Sequence, residues 1–256
     1  MASEARIDLH GTRVLLTGGT SGLGLAMATA LAQAGARMVL TSRSARRAEA
    51  AAALLPGATG LAADSRDEES VARAAEQAWT LLGGIDLLVN NAGLGMITVN
   101  PRFMVEPMGF WEVPAEGFRA VVDTNLTGYF LMAKAVTTRM LAAGAGRIVN
   151  VSVNHSTMSR RGFVPYGPSR AGAEALSRVM AADLRGTGIT VNLLLPGGAT
   201  ETGMLPPPDD RPEQITVLDP AIMGPPIVWL ASEHARDVHD ERIVATGFGE
   251  WLARRA

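Results

Sequence analysis

The chain has 256 residues, 47% of them hydrophobic, no cysteine, and a formal net charge of -2 without a run of like charges. That length suits one large α/β domain with a buried core, and that hydrophobicity excludes a disordered chain. The near-neutral charge argues against nucleic acid or an anionic membrane as the main partner. Without cysteine, disulfides, thiol catalysis and Cys-ligated zinc are excluded. His10, His155, His234 and His239 are scattered without ligand spacing, so no metal site is expected. No apolar run approaches the ~20 residues of a membrane span. Residues 1–8 lack the apolar core of a secretion leader, so a cytoplasmic protein is expected.

Along the chain, Arg13-Val14-Leu15-Leu16-Thr17 is an apolar run of strand type. It feeds a glycine-rich turn, Gly18-Gly19-Thr20-Ser21-Gly22-Leu23-Gly24, and residues 25–32 continue as an Ala/Leu helix. A helix opening at Gly22 aims unsatisfied N–H groups and its positive dipole end at the turn, which suits a diphosphate. The position of this turn, after an N-terminal strand and before a helix, points to a dinucleotide site.

Strand-like and helical patterns then alternate. Residues 38–41 form a second strand, and a helix over 45–55 stops at Pro56-Gly57. Residues 59–64 form a third strand, 67–82 an amphipathic helix closed by Gly83-Gly84, and 85–90 a fourth strand. Helical periodicity runs over 115–143 and ends at Gly144-Ala145-Gly146; residues 147–153 form a fifth strand. A helix over 166–185 carries Pro168 in its first turn, where a missing N–H costs little. Residues 188–195 form a sixth strand, stopped by Pro196-Gly197-Gly198.

This alternation predicts a single-domain Rossmann fold over residues 1–256, a doubly wound parallel sheet of about seven strands with helices on both faces. The turn after Thr17, Asp64, residues 90–93, residues 152–156 and residues 196–202 all fall at the carboxyl edge, where ligands lie in such sheets.

Four segments resemble the short-chain dehydrogenase/reductase family in order and rough spacing. They are residues 17–24, Asn90-Asn91-Ala92-Gly93, Asn125 within Asp123-Thr124-Asn125-Leu126, and Tyr166 in Tyr166-Gly167-Pro168-Ser169-Arg170. The likeness covers almost the whole chain, from about Leu9 to about Ala245. It implies hydride transfer between a nicotinamide nucleotide and a carbonyl or carbinol carbon of a small-molecule substrate. Tyr166 would be the acid/base, and because free Tyr has a pKa near 10 it needs a fixed positive charge nearby. Arg170 lies one helical turn on, where the family pattern has Lys. Arg keeps the charge and practically never releases its proton, so a relay through a lysine amine is not retained.

A second departure falls at the fifth strand. The family places a Ser thirteen residues before the Tyr to hydrogen-bond the substrate oxygen, and that count lands on Val153. Strand alternation turns Ser152 to the opposite face. Ser156 is therefore expected to replace it, with Asn154 or His155 behind it. The resemblance also implies a catalytic place for Asn125, since in the family an Asn there holds a water that links the catalytic Lys to solvent; in this helical segment it is also read as a kink-forming residue.

The nucleotide would be held by Gly18, Thr20, Ser21, Gly22, Leu23, Gly24, Asn91, Ala92, Gly93, Tyr166 and Arg170. Asp64 and Ser65 would stand on the adenine side, and Pro196, Gly197 and either Thr200 or Thr202 near the nicotinamide or diphosphate. At the end of the second strand stand Ser42 and Arg43, followed by Arg46 and Arg47, with no carboxylate to repel a 2′-phosphate. The resemblance therefore implies NADP, with NAD as the alternative; Arg46 and Arg47 also fit a solvated helix start.

Residues 96–111, rich in Met and aromatics, are expected to line an apolar substrate pocket or to meet a neighbouring subunit. A proline-stiffened lid is expected over residues 205–220. Homo-oligomers, tetramers or dimers, would form through the helices over 115–143 and 166–185. The Asp-Gly-Gly ending of the family is replaced by residues 245–251, which puts its end-to-end interface in doubt. Two further readings stay open: reduction of a C=N or C=C bond, and a nucleotide-binding regulatory protein with little turnover.

Overall fold

A computed structural model describes residues 7–255; the leader reading over residues 1–6 lies outside the described residues. Nine strands appear in chain order: β1 Arg13–Thr17, β2 Arg37–Ser42, β3 Ala58–Ala62, β4 Leu87–Asn90, β5 Gly146–Val151, β6 Ile189–Leu195, β7 Ala199–Thr200, β8 Val217–Leu218 and β9 Arg242–Val244. The α-helices are α1 Gly22–Gln33, α2 Ala45–Ala52, α3 Glu68–Leu82, α4 Ala115–Val122, α5 Gly128–Ala143, α6 His155–Met158, α7 Tyr166–Asp183, α8 Gly224–Ala231 and α9 Phe248–Ala253.

Seven strands make one sheet in the order β3-β2-β1-β4-β5-β6-β9, every neighbouring pair parallel. β7 and β8 form a separate two-stranded ribbon over the carboxyl edge. All residues of β4 and β6 are buried, as expected of a parallel sheet covered on both faces. One apolar core packs α1 and α8 against Val14, Leu16 and Leu40. The opposite core packs α3, α5 and the end of α7 against Leu15, Val39, Leu88 and Ile148. The chain order reverses between β1 and β4, and a crevice opens there at the carboxyl ends of the strands.

Local chemistry fixes the helix ends. Asp67 caps α3 by accepting from the Ser70 amide at 2.9 Å, with Glu68 and Glu69 in the favourable first turn. Gly83 closes that helix in the left-handed region at φ 75°.

Some boundaries differ from expectation. The third strand ends at Ala62 and the fifth at Val151, so Ser152 and Val153 lie just beyond the ladder. The periodicity over 115–143 is one continuous helical path interrupted by a π-turn at Asp123–Thr127. Its cause is Asn125, whose side chain bonds outside the helix rather than to its own turn. The seventh strand of the sheet is β9, three residues long and too short to carry a readable alternation.

Candidate active site

A cleft of about 850 Å³ runs along the carboxyl edge, from the turn after β1 to the ribbon and the loop after β4. Two backbone requirements shape its floor. Gly18 sits at φ 66°, and a side chain there would press on Ala92 at 2.8 Å; one on Gly24 would collide with the Gly18 carbonyl. β1 and β4 are knitted together at this point. Asn91 Nδ2 donates to the Thr17 and Gly18 carbonyls, each at 3.0 Å, and Thr17 Oγ1 accepts from the Asn91 and Ala92 amides at 3.0 and 3.1 Å.

No side chain caps the start of α1, although Ser21 occupies the N-cap position. Its first N–H groups therefore face the cleft, a ready site for an anion. Thr202 packs directly on this start, since a Cβ on Gly22 would meet Thr202 Cγ2 at 2.9 Å. Thr200, by contrast, is buried on β7 and turns its hydroxyl to the Gly198 carbonyl at 3.1 Å. Both line the cleft, and Thr202 is the one beside the α1 terminus.

Gly18, Thr20, Ser21, Gly22, Leu23, Gly24, Ser42, Arg43, Asp64, Ser65, Asn91, Ala92, Gly93, Tyr166, Arg170, Pro196, Gly197, Thr200 and Thr202 all line the same cleft. Of the two arginines read at the start of α2, Arg47 lines the cleft and Arg46 does not; Arg66, which also lines it, was not read from the sequence. Arg66 clasps Asp64 through Nε at 3.0 Å and Nη2 at 2.7 Å. This clasp holds the Asp64 carboxyl below its ordinary range. Asn90 stays out of the cleft, fully buried, donating to Asn150 Oδ1 at 2.9 Å and so bracing β4 on β5.

Tyr166 opens α7 and lines the cleft, half-buried. Arg170 lies one turn on, 3% exposed, its guanidinium carbon 5.4 Å from the Tyr166 ring centroid and 5.5 Å from that of Tyr129. Its Nη1 donates to the Tyr129 hydroxyl at 2.7 Å and to the Val151 carbonyl at 3.1 Å. The Tyr129 hydroxyl in turn donates to the Val151 carbonyl at 3.2 Å. A Cβ on Gly93 would strike Arg170 Nη2, so the missing side chain there makes the room. Burial raises the pKa of Tyr129 despite the neighbouring guanidinium, leaving it a neutral phenol. Burial also works against the charge of Arg170, but the two phenols outweigh it and the shift is upward, so the cation persists.

Among the described residues no carboxylate pairs with Arg170, and its Nε has no hydrogen-bond partner. A buried cation without a counter-ion is costly, and this one borders the cleft. An orphan donor, an uncapped helix start and a glycine-cleared floor together fit a dinucleotide.

Two catalytic candidates lie elsewhere. Asn125 is fully buried and its amide is committed: it accepts from the Leu94 amide at 2.8 Å and donates to the Leu94 carbonyl and Ser169 Oγ, each at 3.0 Å. It fixes the segment after Gly93 and does not line the cleft. Ser156 is exposed and outside the cleft, because β5 ends at Val151 and the chain winds at once into α6, carrying Ser156 to the outer face. Asn154 and Thr157 line the cleft instead, beside Val153. Asn154 Nδ2 donates to the Gly197 carbonyl at 3.0 Å.

Ser152 also lines the cleft, contrary to the expectation from strand alternation, but its hydroxyl is committed, donating to Glu174 Oε2 at 2.8 Å. Glu174 also accepts from Arg242 Nε at 3.0 Å and bonds His155 Nε2 at 3.1 Å. His155 is thereby drawn out of the cleft. Arg242 Nη2 donates to the Val153 carbonyl at 2.8 Å, anchoring that wall from behind.

The loop after β4 forms the apolar end. Met96, Phe103 and Phe163 make a small core against which Ile97, Met104 and Tyr166 pack, with Phe103 and Phe163 edge to face at 5.4 Å. Phe110 and Trp111 of the same loop stay exposed as an edge-to-face pair. Arg102 Nε bonds Asp210 at 2.8 Å and so ties this loop to the segment over 205–219. Arg211 similarly grips Glu201 with two bonds at 2.7 and 2.8 Å. No helix among the described residues is long and apolar enough to cross a membrane, and no cluster of metal-ligating side chains occurs among them.

Comparison with known proteins agrees with this geometry. The family model described as short chain dehydrogenase matches residues 12–212. D-threitol dehydrogenase of Mycolicibacterium smegmatis is 36% identical over 203 residues, covering 76% of this chain and 74% of the relative. The 3-oxoacyl-acyl-carrier-protein reductase FabG of Vibrio cholerae is 30% identical over 250 residues, covering 94% of this chain and 98% of that one. Among solved structures, a 3-ketoacyl-(acyl-carrier-protein) reductase from Brucella melitensis complexed with NADH superposes with a TM-score of 0.81 at 26% identity, covering 93% and 97% of the two chains. With its dinucleotide crevice, its Tyr beside a cation and these relatives, the chain belongs to the short-chain dehydrogenase family and is an oxidoreductase that moves hydride between a nicotinamide nucleotide and a carbonyl or carbinol carbon.

Proposed function

We propose that this protein is an NADP(H)-dependent carbonyl reductase or alcohol dehydrogenase acting on a largely apolar small molecule, an atypical member using Tyr166 with Arg170. The observation that carries the reading is the Tyr166 phenol at the cleft wall with a buried, unpaired guanidinium 5.4 Å from its ring. When bound, the nucleotide supplies or accepts the hydride. Residues 18–24 and Thr202 hold its diphosphate, Arg170 and Gly93 border the ribose next to the reacting ring, and Asp64 and Ser65 flank the adenine.

In the reducing direction Tyr166 Oη gives its proton to the substrate oxygen as charge develops there. The guanidinium of Arg170 stands 5.4 Å from the centroid of the Tyr166 ring as the proton leaves. Arg170 keeps its own proton, so Tyr166 is reprotonated from the open mouth of the cleft rather than through its neighbour. In the oxidising direction the same phenolate takes the proton from the carbinol. Thr157 is the second donor to the substrate oxygen, in place of a Ser at Val153. Thr157 lines the cleft, and α6 lies directly on the first turn of α7, where a Cβ on Gly167 would touch the Thr157 carbonyl at 3.0 Å.

NADP over NAD rests on the rim after β2, where Ser42, Arg43, Ser44 and Arg47 line the cleft without a carboxylate. A homo-oligomer, dimer or tetramer, rests on Phe118, Phe130, Leu141 and Val179, exposed on α4, α5 and α7, and light scattering of the purified protein tests it.

The test is steady-state turnover of apolar ketones and aldehydes with NADPH and NADH, followed by nicotinamide absorbance. Tyr166→Phe is expected to lower kcat by about 10²–10⁴ while nucleotide binding persists. Full activity in that variant would remove Tyr166 as the acid. Nucleotide binding without turnover of any substrate would favour the regulatory reading.

A further inference from the structure

The substrate end of the cleft carries a charge that the proposed chemistry does not use. Arg160 lies between α6 and α7, lines the cleft and is exposed at its mouth. Its guanidinium carbon stands 4.7 Å from the centroid of Phe163, whose ring belongs to the same small core as Tyr166. Among the described residues no carboxylate pairs with it, in contrast to three other arginines. Arg102 is held by Asp210 and Glu106, Arg211 by Glu201, and Arg242 by Glu174.

The other charges of the cleft are spoken for. Arg43, Arg47 and Arg66 stand at the far, nucleotide-rim end, and Arg170 is buried beside Tyr129. Among the described residues that line the cleft, Asp64 is the sole carboxylate, and it is clasped by Arg66. The substrate end therefore combines apolar walls with one exposed cation, Arg160, free of any carboxylate among the described residues, while Arg170 lies buried beside the Tyr166 ring. Contact with the Phe163 ring holds the guanidinium at the cleft, and its N–H groups have no protein partner among the described residues, so they are available to a planar anion.

We propose that Arg160 binds a carboxylate on the substrate, so that the molecule reduced or formed here is an apolar oxo-acid or hydroxy-acid. Its hydrocarbon part lies against Phe163, Phe103 and Met104, its acid group at the mouth, and its reacting carbon toward Tyr166. This specificity rests on the carbonyl-reductase reading.

The experiment uses phenyl ketones with a terminal carboxylate (benzoylpropionate, benzoylbutyrate, benzoylvalerate) and the methyl ester of each, with NADPH. For at least one chain length the acid is expected to exceed its ester in kcat/KM by about 10–100-fold, expressed mainly in KM. Arg160→Ala should bring the acid-to-ester ratio toward one, Arg160→Glu should invert it, and added salt should erode it. Arg161→Ala, an exposed neighbour outside the cleft, should keep the preference. Esters favoured or equal at every length, or a preference that survives Arg160→Glu, would overturn the proposal. If wild type reduces neither acids nor esters, hydride transfer to ketones is what fails. The proposal is then decided by calorimetry on the NADPH-loaded protein, where equal affinity for acid and ester overturns it.

Discussion

Arg170 Nη1 and the Tyr129 hydroxyl meet at 2.7 Å beneath the Tyr166 ring, in a place closed to water. The cation is thus held by a neutral phenol and a carbonyl rather than by a carboxylate, which leaves its charge uncancelled toward the cleft. Tyr129→Phe deletes one acceptor and is expected to lower unfolding free energy by about 1–3 kcal/mol. Arg170→Lys keeps the charge but loses Nη1, which bridges the Tyr129 hydroxyl and the Val151 carbonyl. Reversion to the family residue should therefore bring no more than a modest gain in kcat, together with a loss of stability. Urea melts and steady-state kinetics on both variants check this.

Thr157 and Val153 form a testable exchange. Removing the hydroxyl in Thr157→Val is expected to lower kcat by about 10²–10³, the usual cost of one oxyanion donor. Adding Val153→Ser in that background should recover most of the loss, because Arg242 already fixes the Val153 carbonyl and the wall need not move. Rate measurements on the two single variants and the double variant decide it. An unchanged rate in Thr157→Val would show that another group serves the oxygen.

Nucleotide preference should reside at the rim after β2. Arg43→Ala is expected to raise KM for NADPH at least tenfold while KM for NADH moves little, since a lost charge-assisted bond to phosphate costs on that order. Parallel titrations with both nucleotides read the ratio.

Acid stability should pass through Glu174. Burial opposes its ionisation, yet the bonds from Ser152 and His155 and the charge of Arg242 prevail and hold its carboxyl below the ordinary 4.5. A folded-state value below the unfolded one adds stability above the unfolded pKa, and that addition is lost as pH falls through the folded value. The unfolding free energy should therefore drop as pH falls below about 4.5, and Glu174→Gln should flatten that limb. Urea melts between about pH 6 and pH 3 measure the slope.

Most of the fold was legible because its rules are periodic: apolar runs bounded by glycine placed six of the seven strands of the main sheet within a few residues. β9 escaped because three residues carry no alternation. The residues read at the strand ends were equally legible as neighbours, and they line one cleft because they follow strand ends in fixed order. What failed depended on distance. Ser156 was chosen by continuing a strand that the chain abandons at Val151, and α6 then swings it outward. Arg66 and Arg160 join the cleft through loops, and Thr157 through the short α6, in a geometry that no spacing encodes. Tyr129 carried one available signal: it is one of two tyrosines in the chain and lies four residues beyond Asn125, on the helix facing Arg170.

The anchoring of the Val153 carbonyl by Arg242, itself gripped by Glu174, separates the shape of that wall from its chemistry. The main chain there keeps its course whatever side chain it bears. A lineage built on this scaffold can trade one reactive group for another by point substitution, and its repertoire drifts while the architecture stands still.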